Sequence, residues 1–125
     1  SAENIFLIRD GVLITPPVQE DILEGITRST IMELATEELG LQVVERPISR
    51  TEFYVGDEAF FVGTGVQVTA IANIDHRPVG TGQMGPIVHA IRDLYFDVVR
   101  GSVPKYRHWC TPVYVTEHAP ELAFK

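Results

Sequence analysis

The sequence predicts an α/β fold with hairpin-like strands, not a clean doubly wound sheet, and three observations predict it. Two short apolar runs flank an Asp10-Gly11 pair, two segments carry apolar residues at helical spacing, and a β-branched stretch follows a Gly63-Thr64-Gly65 turn. Alternation suited to strands and a 3.6-residue period suited to helices thus occur side by side in one chain.

The elements follow in order. Ile5 to Ile8 and Val12 to Ile14 read as strands around Asp10-Gly11, a dipeptide that supplies the positive φ angles of a tight hairpin. Pro16-Pro17 stops the second strand, and Val18 to Glu24 reads as a polar-flecked connector leading to Gly25. A helix is expected from about Thr27 to Leu39, because Ile31, Leu34, Ala35 and Leu39 fall on one stripe, and Gly40 occupies the left-handed capping position. Leu41 to Arg46 is a strand candidate, and Ser49 to Tyr54 a short helix with Ser49 as N-cap. Glu58 to Val62 and Val66 to Ile74 read as strands on either side of Gly63-Thr64-Gly65. Asp75-His76-Arg77-Pro78 is a turn. Pro86 then opens a second helix whose apolar face is Ile87, Ala90, Ile91, Leu94 and Val98, ended by Gly101 and Pro104. From Lys105 onward the pattern is less regular, and no internal repeat is present.

Composition narrows the function. A chain of 125 residues with 45% apolar content is the size of one core-bearing domain. The formal net charge is −7 and the basic residues are scattered, which argues against nucleic acid as a partner. A small anion remains compatible, since a pocket can be locally positive in an acidic protein. Cys110 is the single cysteine, so no intrachain disulfide forms, and a lone thiol suits a reducing compartment. No apolar run approaches the roughly 20 residues of a membrane span. The opening residues Ser1, Ala2, Glu3 and Asn4 lack signal-peptide character and an initiating Met, so the expectation is a cytoplasmic chain that begins partway into a gene product.

Two places suit an anion. Gly25-Ile26-Thr27-Arg28 stands where the first helix is expected to start, and a helix start presents backbone donors and a partial positive charge. A capping threonine after a glycine turn explains the same residues. Gly63-Thr64-Gly65 could fold its amides into an anion nest, or be a plain hairpin turn. Four histidines (His76, His89, His108, His118) show no ligand-like spacing, so no metal is expected. Asp57 and Glu58 are adjacent on a strand and face opposite ways, which excludes a shared acid/base pair.

Taken together, the segments resemble a family. E-N-I-F at residues 3–6, D-G-V-L-I-T-P-P at 10–17, G-I-T-R at 25–28, V-E-R-P-I-S-R-T-E at 44–52 and D-E-A-F-F-V-G-T-G at 57–65 are similar to branched-chain aminotransferases of fold-type IV. D-H-R-P-V-G-T-G at 75–82, G-P-I at 85–87, Y-F-D-V-V-R-G at 95–101 and P-K-Y-R-H-W at 104–109 extend the likeness over nearly the whole chain. The resemblance implies the larger C-terminal domain of a pyridoxal 5′-phosphate (PLP) enzyme, spanning residues 1–125 and incomplete on its N-terminal side. It implies that Gly25, Ile26 and Thr27, with Gly63 and Thr64, hold the cofactor phosphate through the amides of Ile26, Thr27 and Thr64 and the hydroxyls of Thr27 and Thr64. Leu23 would pack on the pyridine ring, and the amides of Thr64 and Gly65 would meet the substrate carboxylate. Five such donors, at roughly 1.5–3 kcal/mol for each bond to a charged group, can grip a phosphate without a nearby lysine or arginine. Gly65-Val66-Gln67 departs from the small or acidic residues many members carry there, a subfamily difference.

By the same resemblance the family's Schiff-base lysine lies upstream of residues 3–6, so no catalytic residue falls in this chain and the chain alone should be inactive. The parent enzyme would move an amino group between Leu, Ile or Val and 2-oxoglutarate. Its partners would be the N-terminal portion of the same protein and further copies in a homodimer or higher homo-oligomer. D-amino-acid aminotransferases and aminodeoxychorismate lyases share the two glycine-threonine segments. A non-catalytic anion-binding module is the alternative from another class.

Overall fold

The computed structural model describes residues 4–17, 22–63, 67–113 and 121–124. Strand β1 (Asn4–Arg9) turns through Asp10 and Gly11, at φ 52° and 77°, into β2 (Val12–Thr15). Helix α1 (Ile22–Leu39) ends at Gly40, whose φ of 65° takes the left-handed cap. Strand β3 (Gln42–Glu45), helix α2 (Arg50–Tyr54), strand β4 (Glu58–Val62) and strand β5 (Val68–Ala70) follow. A small hairpin, β6 (Asn73–Ile74) and β7 (Arg77–Pro78), precedes helix α3 (Pro86–Val99). Beyond it come a 3₁₀ segment (Pro104–Trp109) and a hairpin of β8 (Cys110–Val113) with β9 (Glu121–Phe124).

Five strands form one sheet in the order β3-β2-β1-β4-β5. Strand β1 is antiparallel to β2 and β4, while β3 lies parallel to β2 with Leu13 opposite Val43. Alternation along the strands separates two cores. On one face Phe6, Ile8, Leu13, Phe60 and Val62 meet Ile31, Leu34 and Ala35 of α1 and Val88, Ile91, Tyr95 and Val98 of α3. On the other, Leu7, Ile14 and Ala59 meet Phe53 of α2 and Val79. Each buried large side chain contributes about 1.5–3 kcal/mol. Phe6 and Phe60 sit opposite each other in the ladder with rings stacked at 4.7 Å.

Several elements begin or end elsewhere than expected. Residues 22–24 are helical, not a connector, so α1 starts ahead of Thr27. Leu and Glu are strong helix formers, and a glycine inside a helix costs only about 1 kcal/mol. The expected strand from Val66 to Ile74 is broken after Ala70, and Val66 lies outside the described residues. The buried stripe of α3 is Val88, Ile91, Tyr95 and Val98; Ile87 and Leu94 pack at its edge. The rotation follows from Glu58, whose carboxylate accepts the amides of Ile87 (3.1 Å) and Val88 (2.8 Å) and pins the helix start to β4. Tyr95 was missing from the expected stripe because its ring buries as an apolar surface despite the hydroxyl. At the far end Gly101 (φ 74°) and Ser102 return amides to Val98 and Asp97, closing α3 as a Schellman cap.

The expected short helix is present as α2, with the Ser49 hydroxyl accepting the amide of Glu52 at 3.3 Å. Glu52 in turn is clamped by two cations: Arg46 grips both carboxylate oxygens, and Arg9 donates at 3.1 Å. These bonds tie α2 to β1 and to the exit of β3. The Arg46 hydrogen bonds, with those of Arg9, hold the Glu52 carboxyl down at about 2, below its ordinary 4.5. A lowered carboxyl stabilises the fold above its unfolded value and loses that contribution as pH falls. Stability should therefore drop between about pH 4.5 and pH 2, by on the order of 2 kcal/mol once the half-exposed arginines are allowed for. Urea midpoints across this range should fall in the native protein and stay flatter in Glu52→Gln; parallel profiles would refute the linkage.

The segment before α3 is tied to β4 by backbone contact. Gly80 has φ 57°, and a Cβ there would collide with the carbonyl of Asp57. Gly80→Ala combines a left-handed residue with that clash and should cost about 2 kcal/mol or more. A urea midpoint equal to that of the native protein would show that the loop yields freely.

Candidate functional site

Strand direction decides where a site can be. Strands β2 and β4 both run antiparallel to the β1 between them, and β3 runs parallel to β2. The carboxyl ends of β2, β3 and β4 therefore share one end of the sheet, the position favoured for ligands in α/β sheets. Helix α1 leaves the carboxyl end of β2, so Gly25, Ile26 and Thr27 in its first two turns lie at this end. Gly63, which directly follows β4, lies there too. The amide of Gly63 donates to the carbonyl of Gln67 at 3.2 Å.

Polar groups are buried at the same end. Asn4 opens β1, Thr15 closes β2 and donates its hydroxyl to Ile5 (2.7 Å), and Thr27 and Arg28 are buried on α1. The Arg28 guanidinium donates to the carbonyl of Pro16 at 3.2 Å and to the Glu45 carboxylate. Its Nε is buried with no hydrogen-bond partner among the described residues. One turn on, Thr30 donates its hydroxyl to the Ile26 carbonyl at 2.8 Å. The amide of Arg46 donates to Thr15, so the β2–β3 pairing extends to its end.

Of the expected site residues, Gly25, Ile26, Thr27 and Gly63 are thus at one end of the sheet. Leu23 falls in the first turn of α1, and Thr64 and Gly65 lie outside the described residues. The reading of Thr27 as a cap at the helix start is overturned, since it sits one turn inside α1. In a regular helix the amides of Ile26 and Thr27 point at the carbonyls of Ile22 and Leu23. Asp57 and Glu58 diverge as expected: Asp57 accepts the Asp10 amide at 2.8 Å while Glu58 caps α3. Arg28 and Glu45 were not expected as a pair. Their signal was present in part, because Arg28 lies three residues before Ile31 on the buried stripe, where a charge must find a partner.

A mixed five-stranded sheet that gathers Gly25, Ile26 and Thr27 of α1 and Gly63 after β4 at the carboxyl ends of its strands defines an α/β domain. Residues 1–74 match the amino-transferase class IV family, and the chain belongs to it. It is 48% identical over 114 residues to a probable branched-chain-amino-acid aminotransferase of Aquifex aeolicus, covering 91% of this chain and 37% of that protein. The corresponding enzyme of Pseudomonas aeruginosa is 47% identical, with 90% and 36% covered. Among solved structures, the PLP form of the branched-chain amino acid aminotransferase from Thermobaculum terrenum superposes with a TM-score of 0.80 at 48% identity, over 90% of this chain and 37% of that one. The branched-chain aminotransferase of the thermophilic archaeon Thermoproteus uzoniensis, solved with norvaline, gives 0.76 at 49% identity, over 90% and 36%. The chain thus spans a little over a third of the length of the curated relatives it matches.

Proposed function

We propose that this chain is the phosphate-holding part of a PLP-dependent cytoplasmic transaminase that moves an amino group between Leu, Ile or Val and 2-oxoglutarate. The observation that carries the reading is the sharing of one sheet end by residues 25–27 and Gly63, in a chain of the class IV aminotransferase family. When bound, PLP supplies the electron sink that such a transfer needs.

The residues present fit a phosphate in their chemistry. Thr27 offers a buried hydroxyl, and the glycines at 25 and 63 let backbone come close to an anion. Thr64 would add an amide and a hydroxyl, Thr64 and Gly65 would offer amides to the substrate carboxylate, and Leu23 would pack on the pyridine ring. These are the roles the chain's own residues play: they hold and orient, and they move no proton.

The amine that bonds the cofactor comes from outside these 125 residues, so the chain alone is inactive. Lys105 supports this. Its ammonium pairs with Glu38 at 3.1 Å, and that hydrogen bond raises its pKa, whereas a nucleophilic lysine needs a lowered one. Glu38 also lies eleven residues beyond Thr27 on α1, roughly 16 Å along the axis at about 1.5 Å per residue. In this reading the rest of the parent protein would supply the catalytic lysine and cover β3 and β5, the outer strands of the sheet among the described residues. A homodimer or higher homo-oligomer completes the assembly.

Two measurements test the proposal. Incubated with PLP and borohydride, the 13.9 kDa chain should give an intact mass with no specific adduct, while the full-length enzyme is labelled once. A specific adduct on Lys105 would refute the assignment, and a full-length protein that binds anions without labelling would favour a non-catalytic module. In the full-length enzyme, Thr27→Val should weaken pyridoxamine 5′-phosphate binding about tenfold, ~1.4 kcal/mol, by removing one hydroxyl donor. Titration showing equal affinity would take Thr27 out of the phosphate site.

A further inference from the structure

We infer that Arg28 is a positioning residue for the phosphate side of this site, an inference that rests on the reading of Thr27 above. Its guanidinium joins three parts of the chain at the carboxyl end of the sheet. It stands on α1 directly after Thr27, bonds the Pro16 carbonyl just past β2, and pairs with Glu45, the last residue of β3. Further along α1 the helix is seated by apolar packing that begins at Ile31. Ahead of Ile31, Arg28 is a buried side chain whose hydrogen bonds tie the helix to the sheet.

The arrangement is a costly way merely to stabilise. The Arg28 side chain is 9% exposed, yet its Nε has no hydrogen-bond partner among the described residues. A buried donor left unsatisfied costs roughly 1–3 kcal/mol, and a well-packed apolar side chain of similar volume often does as well as a buried ion pair. What an apolar side chain cannot do is fix direction. Two hydrogen bonds from one planar group set both the distance and the rotation of α1 against the strand ends. Because Thr27 is the adjacent residue, its hydroxyl and amide are placed relative to Gly63 by this tether.

A charge acting directly on the phosphate would leave the same footprint in a single variant, so the two roles must be separated by the partner. Glu45 is 46% exposed on its side chain, and Glu45→Gln removes its charge while keeping an amide oxygen that can still accept from Arg28. If Arg28 acts as a charge, Glu45→Gln leaves it less neutralised and phosphate binding tightens. If Arg28 positions, Glu45→Gln loosens the tether and phosphate binding weakens.

The experiment uses the full-length enzyme and compares affinities for pyridoxamine 5′-phosphate and for pyridoxamine, which lacks the phosphate. The ratio reports the phosphate grip alone. Arg28→Met should lower the ratio about tenfold, Glu45→Gln about threefold, and Arg28→Lys should recover part of the loss through its single-point contact. A ratio unchanged in Arg28→Met, or a tighter phosphate grip in Glu45→Gln, overturns the inference. Should Arg28→Met fail to fold, Glu45→Gln and Arg28→Lys decide alone. An unchanged ratio in the Thr27→Val control would instead remove the underlying reading, and the inference with it.

Discussion

Everything at the site follows from the antiparallel pairing of β1 with both of its neighbours. Asp10 and Gly11, both at positive φ, send the chain back along β1 as β2, and β4 pairs with β1 from the other side in the same direction. Two strands far apart in sequence therefore leave the sheet at the same end. Had either pairing been parallel, residues 25–27 and Gly63 would sit at opposite ends of the sheet. The α1 crossover then brings β3 alongside β2 in parallel, and a third carboxyl end joins the other two.

The sheet end is unusual in what it buries. Asn4, Thr15, Thr27 and Arg28 all lie there, while the two cores on either face are apolar. Buried polar groups cost stability unless hydrogen-bonded: the Thr15 hydroxyl bonds the Ile5 carbonyl of β1, and the Arg28 guanidinium bonds the Pro16 carbonyl past β2 and the Glu45 carboxylate of β3. The polar residues thus double as fasteners for strand ends, at the edge of the ladder where backbone bonding runs out.

Much of this was legible in the residues. Asp10-Gly11 marked the first hairpin, Gly40 and Gly101 marked the two helix ends, and residues 58–62 gave β4 with its observed bounds. These features are local, and the conformations they need belong to one or two residue types. The errors arose where a distant contact decides. Gly25 suggested a break that the flanking Leu23 and Glu24 override, so the start of α1 was placed a turn late. The face of α3 was misjudged because Glu58, twenty-nine residues before Ile87, sets its rotation. The two glycine-threonine segments were weak signals singly; their specificity came from the ordered run of motifs, and their nearness from strand direction, which no local pattern encodes.

The Glu58 cap has a consequence for how this sequence can drift. A Cβ at Gly85 would overlap the Glu58 carboxyl, so the helix start has no side-chain cap of its own and borrows one from the strand. Positions 58 and 85 are thus coupled through one contact. A serine or aspartate at 85 would supply a local cap only after the side chain at 58 has shortened, and shortening at 58 first strands two amides. Either change alone carries a cost of about 1 kcal/mol, the usual worth of a helix cap, so exchanging the two together is the smoother route.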